Sequence, residues 1–220
     1  GLTLDENNNI YVTGFTDSKD FPTTSDSYRE KMGVNSTLEA FLTKLNQDGS
    51  NIVYSTFLGN TGWGDSYSVA VDHSGCAYVA GGTGYPDYPV TSGAYHHFVG
   101  GIWDIFVTKI SADGSMSIYS SLFGGKKSDY VTGVAVDDFG NAYICGYTQS
   151  VDYPTTSGAF QPAFYGNYPE DQWNGFVTKI AADGSALAYS TYLSGQNDSS
   201  YSRLSARTEI TGIIVNERSE

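Results

Sequence analysis

Val71-Asp72-His73-Ser74-Gly75-Cys76-Ala77-Tyr78-Val79-Ala80-Gly81 returns later in the chain as Val136-Asp137-Asp138-Phe139-Gly140-Asn141-Ala142-Tyr143-Ile144-Cys145-Gly146. An earlier version reads Leu4-Asp5-Glu6-Asn7-Asn8-Asn9-Ile10-Tyr11-Val12-Thr13-Gly14. Working outward, each copy continues into an aromatic-Pro element: Asp20-Phe21-Pro22, Asp87-Tyr88-Pro89 and Asp152-Tyr153-Pro154. Next come Phe41-Leu42-Thr43-Lys44-Leu45, Phe106-Val107-Thr108-Lys109-Ile110 and Phe176-Val177-Thr178-Lys179-Ile180. An Asp-Gly-Ser turn follows at Asp48, Asp113 and Asp183, then Tyr54-Ser55-Thr56-Phe57, Tyr119-Ser120-Ser121-Leu122 and Tyr189-Ser190-Thr191-Tyr192. The leading Asp recurs at positions 5, 72 and 137, a spacing of 67 and then 65 residues. Self-similarity of this kind is the mark of a repeat architecture.

Each copy holds four short runs of strand type. In the second they are 69–72 (A), 77–81 (B), 105–110 (C) and 117–123 (D), rich in Val, Ile, Tyr, Phe and Thr and bounded by turn residues. A and B join through a tight turn at Gly75 or Gly140, and C and D through Asp-Gly, a strong hairpin signal. No stretch keeps a 3.6-residue apolar period with caps, so helix is not expected. The expectation is an all-β chain of three four-stranded antiparallel blades of a β-propeller, twelve strands in all. A solenoid fits less well, because its repeats run about 20 to 50 residues. The repeats fall at about 1–67, 68–132 and 133–211, with 212–220 opening a fourth. Propellers close with about four to eight blades, so three predict a segment of a larger propeller, completed by further blades or by self-association. Phe41, Phe106 and Phe176 should fill the layers between blades, while Val12 and Tyr192 should lie on the uncovered outer faces.

The combination D-x-x-G-N-x-Y-V-x-G, D-[FY]-P-T-T, F-V-T-K-[LI]-x-x-D-G-S and Y-S-T-[FY]-L-G resembles the SBBP β-propeller repeat, over nearly the whole chain. Copy one departs at Asn8, where the others carry Gly, and copy three at Ser194-Gly195. The resemblance implies a bacterial secreted or cell-surface propeller and no defined reaction.

Composition narrows the function. Among 220 residues, 11 Lys and Arg stand against 24 Asp and Glu, a net charge of −13, and basic residues cluster no further than Lys126-Lys127. A nucleic-acid or anionic-membrane surface is therefore not expected. No apolar run approaches the length of about 20 residues that a membrane-spanning helix needs, so membrane insertion is not expected either. Cys76 and Cys145 are too few for a disulfide scaffold and predict free buried thiols. Asp5-x-Asn7-x-Asn9 has calcium-ligand spacing, but Phe139 in the third copy cannot ligate. It reads as a turn in which Asp bonds its own backbone, and no cofactor or metal ligand set is predicted. Gly64-Asp65-Ser66-Tyr67 opens like a Ser hydrolase motif but precedes a strand, and His73, His96 and His97 offer no triad. Lys44, Lys109 and Lys179 read as edge charges that discourage aggregation.

Strand parity suggests where binding could sit. A–B and C–D turns share one end of a blade; B–C and D–A connections share the other, here called the loop end. The B–C connections 15–39, 82–104 and 147–174 are long, and long connections are usually functional or compactly folded. Trp63, Trp103 and Trp173 map to the loop end, with Tyr95, His96, His97, Tyr165 and Tyr168 nearby in sequence. Aromatics among Asp and Asn acceptors suit stacking on sugar rings, which makes Trp63, Trp103, Tyr165 and Trp173 candidate ligand-binding residues for a glycan or a protein partner. The competing reading is that these rings anchor long loops onto neighbouring blades. Two further functions stay open: a polysaccharide hydrolase or lyase using loop carboxylates, and a purely structural spacer in a surface protein.

Overall fold

The computed structural model describes residues 1–34, 36–59, 64–97, 100–166, 172–195 and 207–216, and among these the regular structure is all strand. The first blade comprises β1 (Leu2–Leu4), β2 (Ile10–Thr16), β3 (Glu39–Leu45) and β4 (Ile52–Phe57), paired in that order. The second runs through β5 (Gly64–Val71), β6 (Ala77–Thr83), the two-residue β7 (His96–His97), β8 (Asp104–Ile110) and β9 (Ser117–Phe123). The third has β10 (Asp129–Val136), β11 (Ala142–Thr148), β12 (Asn174–Ile180) and β13 (Leu187–Leu193). Each blade is thus a four-stranded antiparallel sheet, and β7 adds a short parallel fifth strand on β9.

The turns follow from single residues. In the A–B turns Asn8, Gly75 and Gly140 sit at φ of 60°, 80° and 80°, the left-handed region, which explains why Asn is the one departure that the first copy tolerates. Asp5 Oδ1 accepts the amides of Asn7 and Asn9 at 3.0 and 2.9 Å, and Asp72 and Asp137 repeat the arrangement. The Asp turn is therefore a backbone device. Strands A and B run further than their apolar pattern: β5 and β6 stay paired out to Gly64 and Thr83, across Gly81 and Gly82. Gly81 is needed because its cross-strand partner Phe106 lies over it, and a Cβ there would meet that ring at 2.4 Å.

The core lies in two seams. Tyr11, Ala40, Leu42, Tyr54 and Leu58 of the first blade meet Val69, Val79, Phe106, Ile110 and Leu122 of the second. Tyr78, Ile105, Val107, Tyr119 and Phe123 meet Val134, Ile144, Phe176, Ile180 and Tyr192 in the same way. Alternation along each strand sends one set of side chains to the preceding blade and the other to the following one. Tyr192 points back into the second seam and is buried, contrary to the sequence expectation. The exposed positions on the far face of the third blade are instead its neighbours of opposite parity, Tyr189 and Leu193. Val12, on the first blade's uncovered face, is half-buried. Phe106 and Phe176 are buried as expected, whereas Phe41 is only half-buried, because among the described residues no blade covers its face. In all three copies this Phe is in ring contact with the aromatic of the aromatic-Pro element, at 4.4 Å for Phe21, 4.3 Å for Tyr88 and 4.6 Å for Tyr153.

Polar contacts repeat across the seams as well. Tyr11 Oη donates to Gly75 O at 3.2 Å, and Tyr78 Oη to Gly140 O at 3.1 Å. Beside Tyr11, Tyr78 and Tyr143 an Asp–Lys pair lies within the blade: Asp5–Lys44 at 3.3 Å, Asp72–Lys109 at 3.2 Å and Asp137–Lys179 at 3.2 Å. Each ammonium also lies over its Tyr ring, at 4.9, 4.6 and 4.7 Å from the centroid. Lys44 and Lys109 are thus partners in interblade junctions and not edge charges, and Lys179 makes the same contacts within the third blade. Gly114 and Gly184 lie on Tyr54 and Tyr119 of the preceding blade, whereas a Cβ at Gly49 would meet nothing within 4 Å.

That contrast predicts different costs for the same substitution. All three turn glycines have φ between 70° and 76°, so Gly49→Ala should cost about 1 kcal/mol from backbone conformation alone. Gly114→Ala adds a methyl that would lie 2.4 Å from the Tyr54 ring and should cost at least about 2 kcal/mol more. Denaturant unfolding of the two variants tests this, and equal losses would remove the seam from the explanation.

Candidate functional site

The long B–C connections do not splay outward at the loop end. They turn down the outer edge of their own blade: Thr24, Thr91 and Thr156 donate backbone amides to Ser55, Ser120 and Ser190 on strand D at 3.0 to 3.1 Å. Tyr28 and Tyr95 then donate their amides to Gly114 O and Gly184 O of the next blade at 2.8 and 2.6 Å. Tyr95 packs edge-on against Phe123 at 5.7 Å and belongs to the seam. These bonds anchor the connections to their own blade and, at Tyr28 and Tyr95, to the next one.

What gathers at the loop end is a smaller group of rings. Trp103 and Trp173 stand one residue before β8 and β12, the same position in adjacent blades. Tyr130 on β10 lies between them, 6.3 Å from Trp103 and 5.7 Å from Trp173 by ring centroids. Tyr147, at the end of β11, stacks on Tyr130 at 5.3 Å and meets Trp173 edge-on at 5.2 Å. All four are half-buried. Arg207 places its guanidinium 5.3 Å from the Tyr147 centroid and 5.7 Å from that of Trp173, and pairs with Glu209. Tyr67 on β5 is exposed; its hydroxyl bonds Asp65 at 3.2 Å, and Tyr130 and Tyr147 are near enough to oppose its ionisation. Trp103 and Trp173 are therefore brought together. Trp63 and Tyr168 lie outside the described residues. Tyr165 is half-buried in the third B–C connection, and among the described residues no ring contact ties it to this group.

Sequence reasoning passed over Tyr130 and Tyr147, although a signal for them existed. At the Tyr147 position the other copies carry Phe15 and Gly82, and at the Trp173 position Leu38 and Trp103. The Trp103 indole covers Gly82, where a Cβ would lie 2.0 Å from Nε1; in the third blade Tyr147 fills that place and Trp173 meets it edge-on. Departures from the repeat thus mark the group.

A second departure lies below. Asp104 and Asp129 are wholly buried at the loop end of the second seam. Their carboxylates face each other across Gly124, where a Cβ would lie 2.1 Å from Asp104 Oδ1 and 2.6 Å from Asp129 Oδ2. The matching residues are Glu39 and Asn174 for Asp104 and Gly64 for Asp129, so the pair occurs once among these blades. Asp129 accepts from Thr148 Oγ1, from Gly125 N at 2.7 Å and from Ser150 Oγ at 3.1 Å. Burial pushes both carboxyls up to about 7; hydrogen bonds pull Asp129 back, the Gly101 amide does so for Asp104, and the charge of Asp104 raises Asp129 further. At the other end, His73 bridges Glu6 and Asp138, and these hydrogen bonds hold its imidazole up at about 9 although it is exposed. Cys76 and Cys145 are free thiols raised by burial.

The family model described as SBBP, Beta-propeller repeat, matches residues 1–22 and 118–154 of the chain. Comparison with curated proteins finds no match.

The acidic pair gives a pH prediction. In the unfolded chain these carboxyls titrate near 4, in the folded one near 7, so the folded state holds more protons between those values. Stability conferred in acid is lost as pH rises through about 7. In chelator, the melting temperature should fall from pH 5 to pH 8, and Asp104→Asn should remove about half of that fall, on the order of 2 kcal/mol or about 5 °C. A parallel pH profile in the variant would contradict the assignment.

Proposed function

We propose that the chain serves as an extracellular β-propeller scaffold that binds a neutral glycan at its loop end, through Trp103, Tyr130, Tyr147 and Trp173. The supporting observation is the ring group itself: four half-buried aromatics drawn from two blades, edged by Arg207 and Glu209. Aromatic faces stack on the apolar C–H faces of sugars, and the guanidinium and carboxylate supply a donor and an acceptor for hydroxyls. The −13 charge and scarcity of basic residues favour a neutral ligand over a polyanion. Asp104 and Asp129 are not offered as acid and base for polysaccharide cleavage, because neither has surface that a chain of sugars can reach.

A glycan array followed by titration calorimetry on the strongest hit tests the reading. Tyr147→Ala and Trp173→Ala should each weaken binding about tenfold or more while leaving the β-type circular dichroism unchanged. An array without hits would overturn the glycan and point to a protein partner, and loss of fold in both variants would make these rings structural anchors.

A further inference from the structure

The place between Asp104 and Asp129 is walled by oxygens. A Cβ on Gly101 would lie 2.4 Å from Lys127 O, 2.6 Å from Gly125 O and 3.1 Å from Asp104 Oδ1. The Asp104 oxygen is the one that faces Asp129 across Gly124. Gly101 and Gly124 flank the place, and their missing side chains leave it to oxygen atoms. Two neighbouring acids would not by themselves mark a site. Asp104 is wholly buried, and apart from the weak approach of the Gly101 amide neither of its oxygens has a hydrogen-bond partner. A carboxylate taken out of water without a partner costs several kcal/mol, so evolution of such a position calls for a counter-charge or a proton. Nearby, the Lys126 ammonium pairs outward with Asp152 at 3.5 Å. Lys127 gives its amide to Ser150 Oγ and its carbonyl to the Ile102 amide.

We propose that Asp104 and Asp129, with the main-chain oxygens of Gly125 and Lys127, form a binding site for one divalent cation of calcium type. The donor set is all oxygen and carries two negative charges, which suits a hard cation. Calcium fits better than magnesium, which gives up its water shell reluctantly and would have to do so in a buried place. The two carboxylates have distinct tasks. Asp129, held by Thr148, Gly125 and Ser150, is fixed in place, whereas Asp104 has both oxygens to give. The ion would join β8 of the second blade to the 124–129 connection and β10 of the third, and so clamp the seam directly beneath Trp103 and Tyr130. This inference does not depend on the glycan reading.

The test uses the full chain stripped with chelator. Calcium titration by calorimetry should give one ion per chain, and calcium at about 100 times its Kd should raise the melting temperature by about 5 °C. Terbium should occupy the same place and luminesce on excitation of the neighbouring Trp103. Asp104→Asn should weaken both signals at least tenfold. Should that variant fail to fold, the wild-type chain still decides: calcium should raise its melting temperature saturably, and sodium at equal ionic strength should not. No saturable binding of calcium, magnesium or manganese, no rise of melting temperature with calcium, or a terbium signal unchanged in Asp104→Asn would each overturn the proposal.

Discussion

Both faces of each blade's sheet are apolar, and every blade therefore needs cover on two sides. The second blade has it; the first and third each keep one face partly bare, as Phe41 and Tyr189 show. Apolar burial supplies most of the drive for stacking but has no direction of its own. Direction comes from the junction in which Asp72 fixes its own turn, accepts from Tyr78 and pairs with Lys109, while Tyr78 also reaches Gly140 O of the next blade. One aspartate thus couples a local turn to the blade that follows. The same residues occupy the third blade, where Tyr143 bonds Asp137.

Much of the fold was legible because repetition shows which residues a blade cannot do without. Positive φ at the A–B and C–D turns is announced by Gly and Asn, and the strands by their β-branched and aromatic runs. The parity of Tyr192 was not legible, since Tyr189-Ser190-Thr191-Tyr192 alternates rings and hydroxyls without saying which set meets a neighbour. Nor was the descent of the B–C connections along strand D. Those contacts pair Thr24, Thr91 and Thr156 with Ser55, Ser120 and Ser190 through main-chain amides and Thr hydroxyls, and a recurring Thr does not say which strand it meets.

The candidate site was half legible. Trp103 and Trp173 stand out by residue type and by strand parity, but Tyr130 and Tyr147, which join them, look like ordinary strand aromatics. They become visible only as departures: Tyr where the repeat has Asp65, and Tyr where it has Gly82 or Phe15. Asp129 in place of Gly64 is a departure of the same kind. Positions that repeat build the scaffold here, and positions that break the repeat gather at the loop end of one seam. A functional site needs one asymmetric arrangement, and a repeat supplies it by local substitution on a frame that stays the same.

The central claim is that seams between blades, more than the sheets within them, set stability. Native-state hydrogen exchange across the whole chain measures this directly. The account predicts slowest exchange in the second blade, covered on both faces, above all in β6 and β8, with the first and third exchanging faster although their ladders are equally complete. Equal protection in all three blades would contradict it.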